Sequence, residues 1–185
     1  MDSLISNEAF SNAKNDSLKW ISMFIIARLI SNQSLESLQN HEWIKSSLLM
    51  VIGVIAYWIL VHRLISENST VSGDLRKALH DVIYFGTILV VARLLSGKPL
   101  NDVEWMKETS YWLIGFCAYS IITSKFVDTS KFSKNTKASA VDIMKWGTMF
   151  IVSQWLANKP FNQEWGMKAL SWTAGFAIYD VLIMR

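Results

Sequence analysis

Four polar residues interrupt or border long apolar stretches of the chain, and their types could support ion or proton chemistry. They are Arg28, Arg93, Gln154 and Asp180. An ionisable side chain inside an apolar helix is rare, and it commonly binds an ion or relays a proton. Arg28, Arg93 and Gln154 occupy equivalent places in three repeated segments, so a positive charge is not required in every copy.

The two arginines lie close to predicted turns, which offers a simpler explanation. From such a place a long side chain can reach the polar boundary of an apolar layer. Each can also pair with a glutamate of its own hairpin, Arg28 with Glu42 and Arg93 with Glu104. We therefore favour a positioning role over a functional charge.

Asp180 is not part of the repeat, because Trp58 and Ser120 stand at the equivalent places. We expect its carboxylate to pair with Lys145 or Arg185. A proton or ion relay needs a series of such groups, and no series is apparent in the sequence.

The other reactive side chains form no recognisable motif. The histidines, His41, His62 and His80, are too widely spaced for a metal site. The single Cys117 has no histidine nearby, and no phosphate-cradling glycine loop is present. We predict no catalytic residue, no cofactor and no metal, and therefore a protein that is not an enzyme.

The elements that carry these residues are triplicated. Three tryptophans, Trp43, Trp105 and Trp165, recur about sixty residues apart. Each is followed at ten residues by glycine and at fourteen by tyrosine: Gly53 and Tyr57, Gly115 and Tyr119, Gly175 and Tyr179. Upstream, an aspartate lies twelve residues before each of the arginine or glutamine positions: Asp16, Asp81 and Asp142.

These recurring residues lie on one side of a helix and predict a packing seam. A glycine lets a neighbouring backbone approach, and a tyrosine can hydrogen-bond across helices. The nine seam residues are Trp43, Gly53, Tyr57, Trp105, Gly115, Tyr119, Trp165, Gly175 and Tyr179. An aromatic pore or ligand cage on the axis is the functional alternative.

The segment before each tryptophan predicts the turn of a two-helix hairpin. Gly97 and Asn158 suit the end of the first helix, and a proline two residues later cannot continue it. Asn101 and Asn162 are candidate N-caps of the second helix.

Three features favour membrane spans over a soluble helical bundle. The second helix of the first hairpin is apolar around its whole circumference from Leu48 to Ala56, charged residues such as Lys45 and Arg63 lie at the ends of the apolar runs, and aromatic residues mark the helix starts. The fold class is therefore an all-α membrane protein with six transmembrane helices, in three parallel two-helix hairpins with pseudo-threefold symmetry. The predicted divisions are a polar tail 1–15, hairpin 16–65, linker 66–80, hairpin 81–127, linker 128–141 and hairpin 142–185.

Lysine and arginine are more frequent in the termini and linkers than in the hairpin turns, which predicts cytosolic termini. The net charge of +3 is too small and too scattered to indicate nucleic acid as a partner. The predicted partner is the lipid bilayer, and the oligomeric state is left open.

The segment from Val90 to Gly97, followed by Trp105, Gly115-Phe116 and Tyr119, resembles small multi-span membrane proteins of nucleocytoplasmic large DNA viruses. The first repeat departs from this pattern, with Asn32-Gln33-Ser34 in place of Gly-Lys-Pro. The resemblance implies a virion inner membrane or a host endomembrane, with capsid or other membrane proteins as partners. The expected function is structural or scaffolding, and the alternative is a small channel or transporter along the bundle axis.

Overall fold

The computed structural model describes residues 7–31, 38–68, 73–126 and 132–182, and within these ranges all the regular structure is helical. The helices are α1 (Asn7–Ile30), α2 (His41–Ala56), α3 (His62–Asn68), α4 (Gly73–Leu95), α5 (Val103–Ile121), α6 (Lys134–Leu156) and α7 (Gln163–Leu182). A single π-helical turn, Tyr57–Val61, joins α2 to α3 without a break, and a short 3₁₀ turn, Thr123–Lys125, follows α5.

The helices pack in a closed ring. Following the chain, α1 contacts α2, α2 contacts α4, α4 contacts α5, α5 contacts α6 and α6 contacts α7. The ring closes because α7 also contacts α1, so the last hairpin lies beside the first. Each hairpin thus contributes one helix that precedes its turn and one that follows it.

The first helix of each hairpin begins earlier than the sequence predicts. α1 starts at Asn7 inside the predicted tail 1–15, α4 at Gly73 inside linker 66–80, and α6 at Lys134 inside linker 128–141. The added turns are polar, but each buries one small residue against its neighbours: Ala13, Ala78 and Ser139. Tertiary packing of these small side chains stabilises the first helical turns of α1, α4 and α6, although their polar sequences predict exposed, irregular chain.

The turns between paired helices use local backbone chemistry. Gly97 and Asn158 have positive φ angles of 70° and 51° and end α4 and α6. The following Lys98 and Lys159 N–H groups donate to the carbonyls of Arg93 and Gln154, as in a Schellman motif.

The start of the second helix is capped three residues before its tryptophan. Asn40 and Asn162 accept hydrogen bonds from the N–H groups of Trp43 and Trp165. In the second hairpin the cap is Asp102 and not the predicted Asn101. The reason is spacing, since this turn has one more residue between its proline and its tryptophan than the third turn has.

Candidate functional site

The three repeated aspartates meet in one cluster inside the ring. Each aspartate contacts a side chain of the next hairpin, at the position three residues after that hairpin's own aspartate. The aspartate of the third hairpin makes this contact with the first hairpin. The contacts are Tyr84 OH to Asp16 Oδ2 at 3.2 Å, Lys145 Nζ to Asp81 Oδ1 at 2.9 Å, and Lys19 Nζ to Asp142 Oδ2 at 2.5 Å. The same connection therefore occurs three times, with a phenol in one copy and an ammonium in two.

Each aspartate also meets a residue from the second helix of its own hairpin. The indole of Trp58 donates to Asp16 at 2.8 Å, and the hydroxyl of Ser120 donates to Asp81 at 3.0 Å. The corresponding residue of the third hairpin is Asp180, an acid where the others are donors. Because the third hairpin has an aspartate at this position, a second carboxylate lies beside Lys19.

Asp180 is completely buried, and its Oδ1 lies 2.9 Å from Lys19 Nζ. Lys19 thus bridges two carboxylates, Asp142 and Asp180, from α6 and α7. The contact is an ion pair without hydrogen-bond alignment, and Oδ2 of Asp180 has no hydrogen-bond partner within the described ranges. The sequence-based pairing of Asp180 with Lys145 is wrong, because Lys145 pairs with Asp81. The other expected partner, Arg185, lies outside the described residues.

We call these six residues the charged cluster: Asp16, Lys19, Asp81, Asp142, Lys145 and Asp180. Four carboxylates and two ammonium groups leave an excess of negative charge if all six are ionised. A cavity of about 190 Å³ opens beside it, lined also by His80 and Trp58. The lysine side chains keep about a fifth of their surface exposed, so water reaches the edge of the cluster.

A group of aromatic rings packs inside the ring of helices, next to the charged cluster along the first helix of each hairpin. Trp20, Phe85 and Trp146 come from the first helices of the three hairpins and contact one another at centroid distances of 5.4–6.3 Å. Phe116 stacks on Phe85 at 3.7 Å, and Phe176 stacks on Trp146 at 4.6 Å. We call these five residues the aromatic plug.

The plug and the charged cluster are joined by hydrogen bonding. The indole nitrogen of Trp20 donates to the hydroxyl of Tyr84 at 3.0 Å, and that hydroxyl donates to Asp16. Trp146 is 3% exposed and Phe116 is 0% exposed, so both rings are packed in the interior, and the plug forms one wall of the cavity beside the charged cluster. A buried tryptophan with its N–H satisfied costs little desolvation, which explains how a polar layer and an apolar layer can be adjacent.

The predicted seam glycines each face the first helix of the following hairpin. A Cβ added to Gly53 would lie 2.7 Å from Ile88 Cα, one on Gly115 would lie 2.7 Å from Met149 Cα, and one on Gly175 would lie 2.9 Å from Met23 O. The facing residues are equivalent, each seven positions after its repeated aspartate. Direct backbone contact therefore recurs at all three boundaries between hairpins.

The seam tyrosines lie beside the charged cluster at varied positions. The hydroxyl of Tyr57 is 2.8 Å from Nε2 of His80, and the ring of Tyr119 lies 5.6 Å from Lys145 Nζ. Tyr179 is buried. The π-helical turn begins at Tyr57 and carries both this residue and Trp58 to the cluster.

The seam tryptophans lie at the hairpin turns, far along their helices from the glycines. The guanidinium of Arg28 stacks on Trp43 at 5.0 Å, and that of Arg93 stacks on Trp105 at 5.2 Å. Trp165 contacts Phe161 at 4.8 Å.

Arg93 and Gln154 hold equivalent turns closed. Arg93 Nε donates to the carbonyl of Pro99 at 3.1 Å, and Gln154 Nε2 donates to the carbonyl of Pro160 at 2.6 Å. Both turns need a side-chain N–H donor at this position and do not need a positive charge. This explains why glutamine can stand at position 154 where arginine stands at position 93.

The acidic partner of Arg93 is Asp102 at 2.7 Å, and not the predicted Glu104, which pairs with Lys107 at 3.1 Å. The backbone N–H of Trp105 and the Arg93 guanidinium together lower the pKa of Asp102. Both groups therefore favour the ionised form of the Asp102 side chain that caps α5.

Sequence reasoning missed the charged cluster. The recurrence of Asp16, Asp81 and Asp142 was visible, but their partners Lys19 and Lys145 are neighbours only after the ring has formed. The useful signal was the matching position three residues after each aspartate, where lysine, tyrosine and lysine stand. Among the described residues, no group of three or more histidine, cysteine or acidic side chains is arranged to hold a metal ion.

Comparisons with protein families, with curated protein sequences and with solved structures found no match for this chain.

Proposed function

We propose that the chain is a non-catalytic integral membrane protein with a structural or scaffolding role. Its six long helical segments would span the bilayer as three parallel hairpins with pseudo-threefold symmetry. The observation that carries this proposal is the apolar outer surface of the ring, combined with charged side chains that are buried or half-buried inside it. Large apolar side chains face outward on every long helix, while four carboxylates lie inside. Examples from the helices in turn are Ile25, Ile52, Leu79, Ile114, Ile151 and Leu170, each 39–57% exposed.

Two helices pass a test of length and apolarity for crossing a membrane, His41–Ile65 and Gly73–Leu95. Only 22% and 28% of their apolar windows are buried, whereas the core helix of a soluble protein would be mostly buried. In water, such exposed apolar helix faces would favour aggregation, whereas in a bilayer the lipid tails would cover them.

The remaining long helices contain more polar residues, but their lengths are compatible with spans. The shortest, α5, has 19 residues, which gives about 28 Å at 1.5 Å per residue. The hydrocarbon layer of a bilayer is about 30 Å thick. Their polar side chains are accommodated because several of them, including Asp142, Lys145 and Asp180, face the ring interior.

A scaffolding role is supported by the aromatic plug and by the character of the polar contacts. The contacts of the charged cluster join consecutive hairpins to each other, and the plug packs rings from all three hairpins together. In this proposal the termini and linkers are cytosolic and offer polar surfaces to other proteins. A virion or host endomembrane location rests on the resemblance to viral membrane proteins and stays a prediction.

Alkaline carbonate extraction of membranes from expressing cells tests the membrane proposal. We expect the chain to remain in the pellet and to need detergent for release, and release by carbonate would overturn the proposal. Topology is tested by single cysteines placed at Lys98, Lys159 and Lys137 in a Cys117→Ser background. An impermeant thiol reagent should label the first two from the side opposite to the third.

A small transporter is a second candidate, favoured by the buried and incompletely paired Asp180. Purified protein in liposomes should distinguish the two functions. The scaffold proposal expects no proton or alkali-cation flux in the native chain, because the packed rings of the plug would block a path between the hairpins. Flux that is abolished by Asp180→Asn would favour transport and contradict the scaffold.

A further inference from the structure

The cavity of about 190 Å³ beside the charged cluster has both acidic and aromatic walls. Three carboxylates line it, those of Asp16, Asp81 and Asp142. Six phenylalanine, tyrosine and tryptophan rings share the lining: Trp20, Trp58, Tyr84, Phe85, Trp146 and Phe176. The face of such a ring carries partial negative charge, so both kinds of wall attract a cation. The proposed scaffold role makes no use of this cavity.

The three repeated aspartates differ in the charge of their partners. In the second and third hairpins, the aspartate contacts a lysine of the next hairpin. In the first hairpin, Asp16 accepts hydrogen bonds from the hydroxyl of Tyr84 at 3.2 Å and from the indole of Trp58 at 2.8 Å. Both donors are neutral, so they hold the carboxylate without cancelling its charge. Within the described ranges, no lysine, arginine or histidine pairs with Asp16.

One oxygen of Asp16 keeps its capacity to accept hydrogen bonds. Both of the bonds from Tyr84 and Trp58 end on Oδ2, and none of the described residues donates to Oδ1. Asp16 is half-buried and lines the cavity, so a small molecule in the cavity can reach this carboxylate. An ionised carboxylate only accepts hydrogen bonds, and those from a charged donor are about twice as strong as those between neutral groups.

The two lysines of the charged cluster show how this environment holds an ammonium group. Lys19 Nζ contacts an aspartate and lies 5.8 Å from the ring centroid of Phe176. Lys145 Nζ also contacts an aspartate, and it lies 5.6 Å from the ring centroid of Tyr119. Each ammonium thus has a carboxylate on one side and an aromatic face on another. The surroundings of Asp16 offer a carboxylate and aromatic rings in the same way, but no lysine.

The charge of the whole cluster also favours an added cation. Asp180 is completely buried and points into the cluster, with Oδ1 2.9 Å from Lys19 Nζ, yet its Oδ2 has no hydrogen-bond partner. A buried carboxylate is costly unless positive charge and hydrogen bonds compensate it. Four carboxylates face two ammonium groups in this cluster, so one more positive charge would reduce the imbalance.

The size and lining of the cavity select a small organic cation. Its volume lies below the roughly 300–1,000 Å³ of sites for drug-sized molecules. In the part of the chain that the structure describes, no three histidine, cysteine or acidic side chains are arranged to hold a metal ion. Aromatic rings attract alkylammonium groups and can also cover their apolar part. The exposed edges of Lys19 and Lys145 show that the cluster can be reached from water.

We infer that this cavity binds a small primary ammonium ion, whose N–H groups donate to Asp16 Oδ1 and whose alkyl group lies against the aromatic wall. The bound ion supplies to the first hairpin the ammonium group that lysine supplies to the other two. The inference is independent of the proposed membrane location, because the cavity lies inside the ring of helices.

Isothermal titration calorimetry of ethylammonium chloride into the purified full chain, at constant ionic strength, tests the site. Tyr84→Lys places an internal ammonium beside Asp16, as in the other two hairpins, and should weaken ethylammonium binding at least about tenfold. The matched control is Tyr111→Lys, which adds the same charge to α5 at a position that does not line this cavity. We expect the native chain and the control to bind one ethylammonium each.

Removal of the carboxylate gives a second test that leaves the aromatic wall intact. Asp16→Asn should weaken binding at least about tenfold, because a charge-assisted hydrogen bond is lost. Its control is Glu104→Gln, which neutralises an exposed carboxylate at a hairpin turn and should retain binding.

Three outcomes would overturn the inference. They are no saturable binding by the native chain, equal loss of binding in a test variant and its control, and displacement of ethylammonium by an equal concentration of potassium. The last result would show that the cavity responds to charge alone. If Tyr84→Lys lowers the melting temperature, Asp16→Asn and the potassium competition decide the question.

Discussion

Gly115 of α5 faces the backbone of α6 so closely that a methyl group on its Cα would lie 2.7 Å from Met149 Cα. The contact is between backbones, so the neighbour cannot yield by rotating a side chain. Equivalent contacts at Gly53 and Gly175 place the same constraint on the other two boundaries of the ring.

Replacing Gly115 with alanine should destabilise the fold by about 1–3 kcal/mol, the usual range for added volume in a packed interior. The matched control is Gly147→Ala on α6, where nothing lies within 4 Å of the added methyl group. Alanine is the better helix former by up to about 1 kcal/mol, so the control should be neutral or stabilising. Thermal melting in detergent measures both, and equal effects would contradict the close contact.

Lys19→Met should be among the most destabilising changes in the charged cluster. It would leave Asp142 and Asp180 together without their shared cation, and breaking a buried ion pair costs about 3–5 kcal/mol. Asp180→Asn should cost clearly less, because the pair between Lys19 and Asp142 remains. Denaturation in detergent gives the comparison, and a more harmful Asp180→Asn would show that Asp180 has a role beyond charge balance.

Arg93→Gln should preserve the second hairpin turn better than Arg93→Ala. Glutamine can still donate to the carbonyl of Pro99, as Gln154 does to Pro160. Hydrogen exchange of the amides from Lys98 to Trp105 reports the difference, with faster exchange expected in the alanine variant. Identical exchange in the two variants would mean that Arg93 does not hold this turn.

The ion pair between Arg93 and Asp102 should be insensitive to pH over a wide range. Its donors lower the pKa of Asp102 below the ordinary value of 3.8, so its stabilising effect is complete above that value. The stabilising effect is lost only as the pH falls through the lowered pKa of Asp102. The rate of amide hydrogen exchange at this turn, corrected for its intrinsic pH dependence, should therefore not change between about pH 5 and 8. A transition within that range would contradict the assigned partner.

Trp146→Ala should destabilise the fold by about 3–5 kcal/mol, because it removes the most connected ring of the aromatic plug. Trp146 contacts both Trp20 and Phe85, and it stacks on Phe176. Trp155→Ala is the control on the same helix, since that side chain is 70% exposed. Its effect should stay within about 0.5 kcal/mol, as for most surface changes. Comparable losses would indicate that Trp155 is also buried, for example by another subunit.

Much of the local structure follows from short stretches of sequence. Gly97 and Asn158 end their helices because they tolerate positive φ, and Asn40 and Asn162 cap the helices that follow because their side chains accept a nearby N–H. The error at Asn101 arose where the turn lengths differ by one residue. The early starts of α1, α4 and α6 were not predictable locally, since they depend on burial against another hairpin.

The sequence by itself determined the helical hairpins, their threefold recurrence and the small residues at each boundary, because these depend on contacts within a few turns of chain. The predicted pseudo-threefold symmetry implied that the last hairpin lies beside the first, but only the tertiary structure decided which side chains meet where α7 contacts α1. The closure brings Lys19 to Asp142 and Asp180, more than a hundred residues away along the chain. A charge is costly in an apolar interior unless its partner is present, and the partner's identity is a property of the packed ring.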